Sequence, residues 1–304
     1  MTVTANDLVN DTENHLLGGD RDQLNRLTTA LDRKSTLVGF DFDLLGVQPG
    51  AYIAIDLETM YVWTAATTSA TVQRGMLGTT PAPHNAGSVV YVNPKFSRST
   101  IFDHLNIELR DLSAPPNGLW QTKEFTLTTF PVQRTYAVPA AHANLIDVLE
   151  IRWQPPGPDY RWSRIWRRDY QVIRELDPFD TQAGIGGAPA GIVIRIDPAL
   201  YPGRHLRVRY AAPFSELSSL SDDVIRTTGL PSTALDIPPL VAAARLMALR
   251  EAKRNFVEAQ GDPRRSAEVP SGGAAKAAQA LTAVANERIR TEYMRLQSQY
   301  PQLR

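Results

Sequence analysis

The chain has 304 residues, 43% of them hydrophobic, enough to bury the cores of two modest domains without a covalent staple. It contains no cysteine, which removes disulfides, thiolate metal sites and a cysteine nucleophile together and fits a reducing compartment. Lysine plus arginine and aspartate plus glutamate both number 32, so the net charge is zero and no global field recruits nucleic acid or an anionic membrane.

The start, MTVTANDLVNDTENHL, lacks a basic stretch followed by an apolar one, and no uninterrupted apolar run approaches the roughly 20 residues of a membrane helix. The expectation is a soluble chain with no secretion signal and no membrane partner. Leu24, Leu27 and Leu31 recur at helical spacing in DRDQLNRLTTALDRK, with Asp20 or Asp22 placed to cap the start. This predicts a short amphipathic helix within an N-terminal helical segment, 1–48. From Pro49 the runs GAYIAIDLETMYVWTAA, TVQRG and SVVYVN are β-branched and aromatic, punctuated by Gly, Pro and Asn, which predicts a small antiparallel β domain. Its closing helix, IFDHLNIELRDLS, puts Ile101, Leu105, Ile107 or Glu108, and Leu112 close to one face, and APPNG ends it. The β domain with this helix covers 49–112.

Between 113 and 212, runs such as EFTLTTF, LIDVLEIRW, AGIVIRI and HLRVRYAA alternate or cluster β-formers between turns, predicting a second, sandwich-like β domain of antiparallel strands. The remainder, 213–304, opens with a Ser- and Asp-rich connector containing one short helix. A helix from Pro238 follows, with Asp236 as candidate cap and an almost wholly apolar start, LVAAARLMAL, broken by Arg245 alone. Leu240, Leu246, Met247 and Leu249 are its expected buried residues. A last helix, from about Ala274 to Tyr300, carries Leu281, Ile289, Leu296 and Tyr300 on one face, with Tyr293 beside them. At 1.5 Å per residue it spans roughly 40 Å. The fold class expected is α+β: antiparallel β domains, as small barrel or sandwich units, with an N-terminal helix and long C-terminal helices.

Residues 71 to 93, TVQRGMLGTTPAPHNAGSVVYVN, leave three readings open: a phosphate cradle, a ligand site on His84, or an assembly loop. A phosphate loop needs a helix whose N-terminal N–H groups meet the anion, and here PAPH and another strand follow the glycines, with no Gly-Lys-Ser/Thr. GIGGAPAG, from Gly184, likewise lacks a following helix. The histidines are His15, His84, His104, His142 and His205. Only His104, with Glu108 at i+4, has a ligand-type neighbour at helical spacing, and two ligands do not fix a metal. No cofactor and no metal is expected. The paired acids Asp222 and Asp223 read as turn and cap residues. RWQPPGPDYRWSRIWRRDYQVIR, from Arg152, mixes six arginines with three tryptophans, a composition able to stack on bases and neutralise phosphates. A strand reading of the same run sends Trp and Ile inward and lays arginine stems along the outer face.

GAYIAIDLETMYVW followed by TVQRGMLGTTPAPHNAGSVVYVNPKF and IFDHLNIELRDL resembles a pattern of tailed-phage structural proteins. The matching residues are Glu58, Met60, Val62, Val72, Arg74, Gly75, Gly78, Thr79, His84 and Gly87, and Pro83 stands where the commonest version has a small residue. The resemblance covers roughly 45 to 110. The layout of the rest is similar to that of head-to-tail adaptor (connector) proteins. What the resemblance implies is a non-enzymatic virion protein in the neck between capsid and tail, assembled in the host cytoplasm, or alternatively a phage tail or baseplate protein. As an adaptor it would form a homo-oligomeric ring of roughly twelve copies, each pairing with the next by a heterologous contact that closes. Its partners would be the portal protein, the next ring of the neck (a stopper or tail terminator), and phage DNA in transit. Leu281, Ile289, Tyr293, Leu296 and Tyr300 would dock on the portal. Arg74, Gly75, Gly78, Thr79, His84 and Gly87 would form a loop contacting neighbouring subunits, with a Glu58–Arg74 ion pair at its base.

Overall fold

The computed structural model describes residues 2–18, 23–43, 47–114, 117–156, 161–174, 191–258 and 273–300. In chain order the elements are α1 (Ala5–Leu17), β1 (Gln23–Arg26), β2 (Leu37–Gly39), β3 (Tyr52–Ile55), β4 (Glu58–Ala65), β5 (Ser69–Gln73), β6 (Val89–Val92) and α2 (Arg98–Leu112). They continue with β7 (Gln121–Thr128), β8 (Thr135–Ala137), β9 (Asp147–Trp153), β10 (Ser163–Ile165), β11 (Tyr170–Ile173), β12 (Val193–Ile196), β13 (His205–Ala212), α3 (Val224–Thr228), α4 (Ile237–Glu258) and α5 (Gly273–Gln299). The chain is α+β with antiparallel sheets, as expected. It divides into two units, Met1–Arg110 with Ser215–Ile289, and Asp111–Phe214 with Arg290–Arg304.

In the first unit six strands, in the order β1-β6-β3-β4-β5-β2, make a sheet curled into a half-barrel. Its two edges touch at one corner through the Leu27–Phe40 bridge, where Thr28 N–H donates to Gly39 O (3.1 Å) and Asp41 N–H to Arg26 O (3.0 Å). The inward positions of the strands, such as Val38, Ile53, Met60, Val62, Val72 and Val90, fill one core.

The helix read over Leu24, Leu27 and Leu31 is not present. β1 pairs with β6 over four residues, Leu27 and Leu31 extend into barrel bridges and are buried, and Leu24 is 41% exposed. Two buried leucines contribute about 1.5–3 kcal/mol each, which exceeds the per-residue differences in helix propensity of about 0.7 kcal/mol or less. Asp20 and Asp22 lie outside the described residues. The helical part of the N-terminal segment is α1 instead. Thr4 caps it in a reciprocal box: Thr4 N–H donates to the Asp7 carboxylate (2.8 Å) and Asp7 N–H to Thr4 Oγ1 (3.4 Å), and Gly18 ends it in the left-handed region. Ala5, Leu8, Val9 and Thr12 form its buried face.

α2 follows the expected face closely, with Ile101, Leu105, Glu108, Leu109 and Leu112 buried and Ile107 half-buried. The arginine that interrupts the apolar start of α4 has its reason here: Arg245 Nε lies 2.7 Å from a carboxylate oxygen of the buried Glu108. α4 packs against α1, so its apolar turns are covered from within the chain. Leu240 and Leu246 are buried and Met247 is half-buried, while Leu249 is 57% exposed. Leu249 is therefore a correction: it lies beyond the covered turns. One helical window, Ser232–Leu249, passes for a membrane span by length and composition, but half of it is buried in this packing. Asp236, read as a cap, receives Arg288 of α5 in a bidentate pair (2.7 and 3.1 Å). The connector contains the single short helix expected, α3, with Asp223 as N-cap, and Asp222 accepts from Ser218 and Ser219.

In the second unit a four-stranded sheet, β10-β9-β13-β7, and a three-stranded sheet, β11-β12-β8, enclose one core, the expected sandwich. Ile151, Ile165, Val208 and Tyr210 of the first sheet meet Tyr136, Ile194 and Ile196 of the second in it. His142 donates to or accepts from Tyr210 Oη at 2.7 Å and stacks on Phe125. All of GIGGAPAG but its last residue lies outside the described residues.

The docking face read on α5 needs correction. Ile289 and Leu296 are each only 8% exposed and Leu281 is half-buried, so the helical stripe serves packing within the chain. Of the five residues, Tyr293 is the large exposed one at 40%. Val284 (53%) and Met294 (54%) are exposed apolar positions that periodicity alone assigned to no face.

Candidate functional site

β3 and β4 are joined by the two-residue turn Asp56–Leu57, with Asp56 at φ 52°, and the register Ile55↔Glu58 sets Glu58 at the first position of β4. β5 pairs with β4 and ends at Gln73, opposite Tyr61, so Arg74 continues opposite Met60, and Glu58, two residues along β4, is its diagonal neighbour on the same face. His84 is fixed by a two-way backbone bridge with Leu31, 2.8 Å in each direction. Three short pieces of backbone therefore bring Asp56, Glu58, Arg74 and His84 together.

Arg74 forms the expected pair with Glu58, and it is bidentate: Nε donates to Oε1 and Nη2 to Oε2, both at 2.7 Å. Its remaining donors reach carbonyls of Asp32 (2.6 Å), Ser35 (3.0 Å) and Ala82 (2.6 Å). The N–H groups of Gly75 (3.1 Å) and Ala82 (2.9 Å) also donate to Glu58. The Glu58 side chain is fully buried and that of Arg74 is 6% exposed. His84 sits between two carboxylates, with Nδ1 2.7 Å from Asp56 Oδ2 and Nε2 3.0 Å from Glu58 Oε2. Two carboxylate acceptors call for two ring donors, which the imidazolium alone supplies.

The electrostatics agree. Burial pushes the Glu58 carboxyl up, but the hydrogen bonds from Arg74, His84 and the Ala82 N–H outweigh it and hold the group at about 2. Burial pushes His84 down, and its bonds to Asp56 and Glu58 outweigh that, leaving it above its ordinary 6.5. The sign of the pH dependence follows. His84's contribution is complete below its unfolded pKa of 6.5 and is lost as pH rises through the raised folded value. That of Glu58 is complete above 4.5 and is lost as pH falls toward about 2. The difference in thermal midpoint between wild type and His84→Gln should be larger at about pH 5.5 than at about pH 9. A difference that is constant or grows with pH would show that His84 is held neutral.

Above this cluster the chain makes a tight 3₁₀ turn, Met76–Gly78. Gly75 has φ 65°, and a Cβ there would stand 2.8 Å from Pro81 Cδ, so the position excludes a side chain twice over. Gly78 and Gly87 also have positive φ, as expected of turn glycines. Thr79 closes the turn: its hydroxyl donates to Met76 O (2.8 Å) and accepts from Thr59 N–H (3.0 Å). Arg74 and His84 face inward, while the residues of the loop that meet solvent are Leu77 (70% exposed), Thr80, Pro83, Asn85 and Ala86 together with Gly78 and Gly87 of the expected contact set. Placing Arg74 and His84 among contact residues is corrected accordingly: their side chains hold the loop from inside, whereas Gly78 and Gly87 of the same set lie on its outer surface.

No family model matches the chain, and no curated protein matches it.

Among the described residues no three His, Asp or Glu side chains are grouped to hold a metal ion. His104 and Glu108, the i, i+4 pair, part company: Glu108 takes Arg245, and burial pushes His104 down. A second buried charge, absent from the expected set, is Arg98, 3% exposed. Its Nη1 donates to Asn10, Glu13 and Tyr91 Oη at 2.9–3.0 Å and Nη2 donates to Asn6 at 2.5 Å, tying α1 to the barrel. The signal available was an arginine in a helix start that otherwise favours acids, SRSTIFD.

Proposed function

We propose that the chain is a head-to-tail adaptor of a tailed-phage virion, a structural protein forming a ring of roughly twelve copies between portal and tail. The observation that supports it best is the destination of the motif residues. Glu58, Arg74 and His84, which carry the resemblance, converge on one buried cluster, and each of their polar atoms is occupied in fixing the loop. Groups so engaged have no donor, acceptor or base left for turnover, whereas a loop held this firmly at its base presents Leu77 and Thr80 at little entropic cost to a neighbour. In this reading the portal contact on α5 uses Val284, Tyr293 and Met294, the exposed apolar residues, with Ile289 and Leu296 keeping the helix in place.

Light scattering on the purified chain, alone and mixed with the portal protein of the same genome, tests the proposal. The expected result is a 33.6 kDa monomer alone and a ring on the portal, with Leu77→Asp weakening ring closure and leaving the fold intact. A stable ring without portal would contradict the templating. Absence of binding to portal, with assembly on tail proteins in threes or sixes, would favour a tail or baseplate position. Turnover of a substrate abolished by one substitution would overturn the non-enzymatic reading.

A further inference from the structure

The arginine- and tryptophan-rich strands of the second unit have a feature that ring assembly does not use. Along the outer face of the four-stranded sheet, Arg164 of β10 stands directly opposite Arg152 of β9, and Arg152 opposite Arg207 of β13. Like charges at opposite cross-strand positions repel, so a row of three needs counter-charge. The next row supplies Glu150, opposite Arg209, and Arg209 faces Glu124 on β7. Glu150 is shared among Arg152 (2.9 Å), Arg209 (3.8 Å) and Arg164 (3.9 Å), and Arg209 lies 3.6 Å from Glu124. Four guanidinium groups against two carboxylates leave two positive charges in excess on this face.

The donors are also incompletely matched. The Nε–H groups of Arg164 and Arg207 are buried and make no hydrogen bond among the described residues, the Glu150 carboxylate lying 3.9 Å from Arg164 Nε. Both guanidinium groups lie over indole rings, Arg207 over Trp162 at 4.4 Å and Arg164 over Trp166 at 5.1 Å from Cζ to centroid. Such cation–π contacts limit the freedom of the side chains, and a guanidinium is the group whose paired N–H donors meet an oxyanion in bidentate fashion. Beside the row lies a hollow of about 410 Å³, lined by Arg152, Arg164, Arg209 and Glu150 with Tyr300 and Gln299. The three arginine side chains are between 29% and 45% exposed, so a ligand can reach them.

We propose that this hollow is an oxyanion site for phosphate, either as a free phosphate compound or as the phosphodiester backbone of a nucleic acid. The row of guanidinium edges supplies bidentate donors, Tyr300 and Gln299 supply neutral ones, and the ligand removes the repulsion within the row. The site stands apart from the adaptor reading, and loss of either leaves the other untouched.

The test is isothermal titration of the full chain with inorganic pyrophosphate, with a single-stranded oligonucleotide and with poly-glutamate, at low salt. Binding of a phosphate probe is expected, weakened about tenfold or more by Arg152→Gln and by Arg164→Gln. Arg152→Lys keeps the charge and removes the fork, so it should weaken binding too, and it serves if the glutamine variant unfolds. Without ligand the glutamine variants should melt at or above the wild-type temperature, since the row is relieved. An oligonucleotide much tighter than pyrophosphate, with affinity falling steeply with salt, identifies a nucleic-acid backbone. Equal affinities identify a free phosphate compound. The proposal is overturned if neither phosphate probe binds, if the substitutions leave binding unchanged, or if poly-glutamate binds as well as the phosphate probes.

Discussion

Arg74→Ala is expected to destabilise the first unit by about 3–5 kcal/mol, because it leaves the fully buried Glu58 carboxylate and Asp56 sharing one cation, His84. For a unit of this size that corresponds to a fall in thermal midpoint of roughly 6–20 °C. The loss exceeds that of a surface ion pair, which is about 0–1 kcal/mol, for a geometric reason. Besides Glu58, Arg74 satisfies the carbonyls of Asp32, Ser35 and Ala82, so its removal also unties the segment 32–35 from the loop. Arg74→Lys keeps the charge but cannot reproduce the fork, and should recover only part of the loss. Urea unfolding of the three proteins measures it. A loss under about 1 kcal/mol for the alanine variant would mean that water replaces the guanidinium and the cluster is not the base of the loop.

Arg98→Ala is expected to cost about 2–4 kcal/mol and to act on a different place, the seating of α1. Its guanidinium lies over the Tyr91 ring at 5.2 Å and donates to Asn6, Asn10 and Glu13 on α1. Without it three side chains of α1 and the Tyr91 hydroxyl lose a buried donor at once. Because α1 also packs on α4, the helix should stay formed but open more often. Hydrogen exchange over residues 5–17 should accelerate by about tenfold or more, with exchange in β9 and β13 unchanged. Unaltered protection of α1 would show that its contacts with α4 hold it alone.

How much of this was legible in the sequence depended on whether local pattern and tertiary pairing agreed. They agreed in α2, where Ile101, Leu105 and Leu112 form both the periodic face and the buried one, and in β4, β5 and β6, whose alternation matches the curled sheet. They disagreed at Leu24, Leu27 and Leu31. A four-residue spacing fits a helix, yet Leu27 and Leu31 are buried from an extended segment by pairing with Phe40 and His84, residues too distant in the chain for any window to register. In α1 the signal was present as Thr4-x-x-Asp7 and Gly18, a capping pattern that specifies both ends of the helix although the residues between are largely polar. The Glu58–Arg74 pair was legible because the two strands are adjacent in the chain and both residues lie near their ends, Glu58 starting β4 and Arg74 following β5. That His84 would join it between two carboxylates was not, since its place depends on the bridge to Leu31. The direction in which a motif residue faces was illegible as well. Arg74 and His84 look like contact residues in a loop and are interior ones.

Antibody-labelled imaging of the assembled particle tests the adaptor proposal most directly. A label on this chain should fall at the single neck vertex, between capsid and tail, in a ring of roughly twelve copies. Label at the tail tip, in threes or sixes, or absence of the chain from the particle, would contradict it.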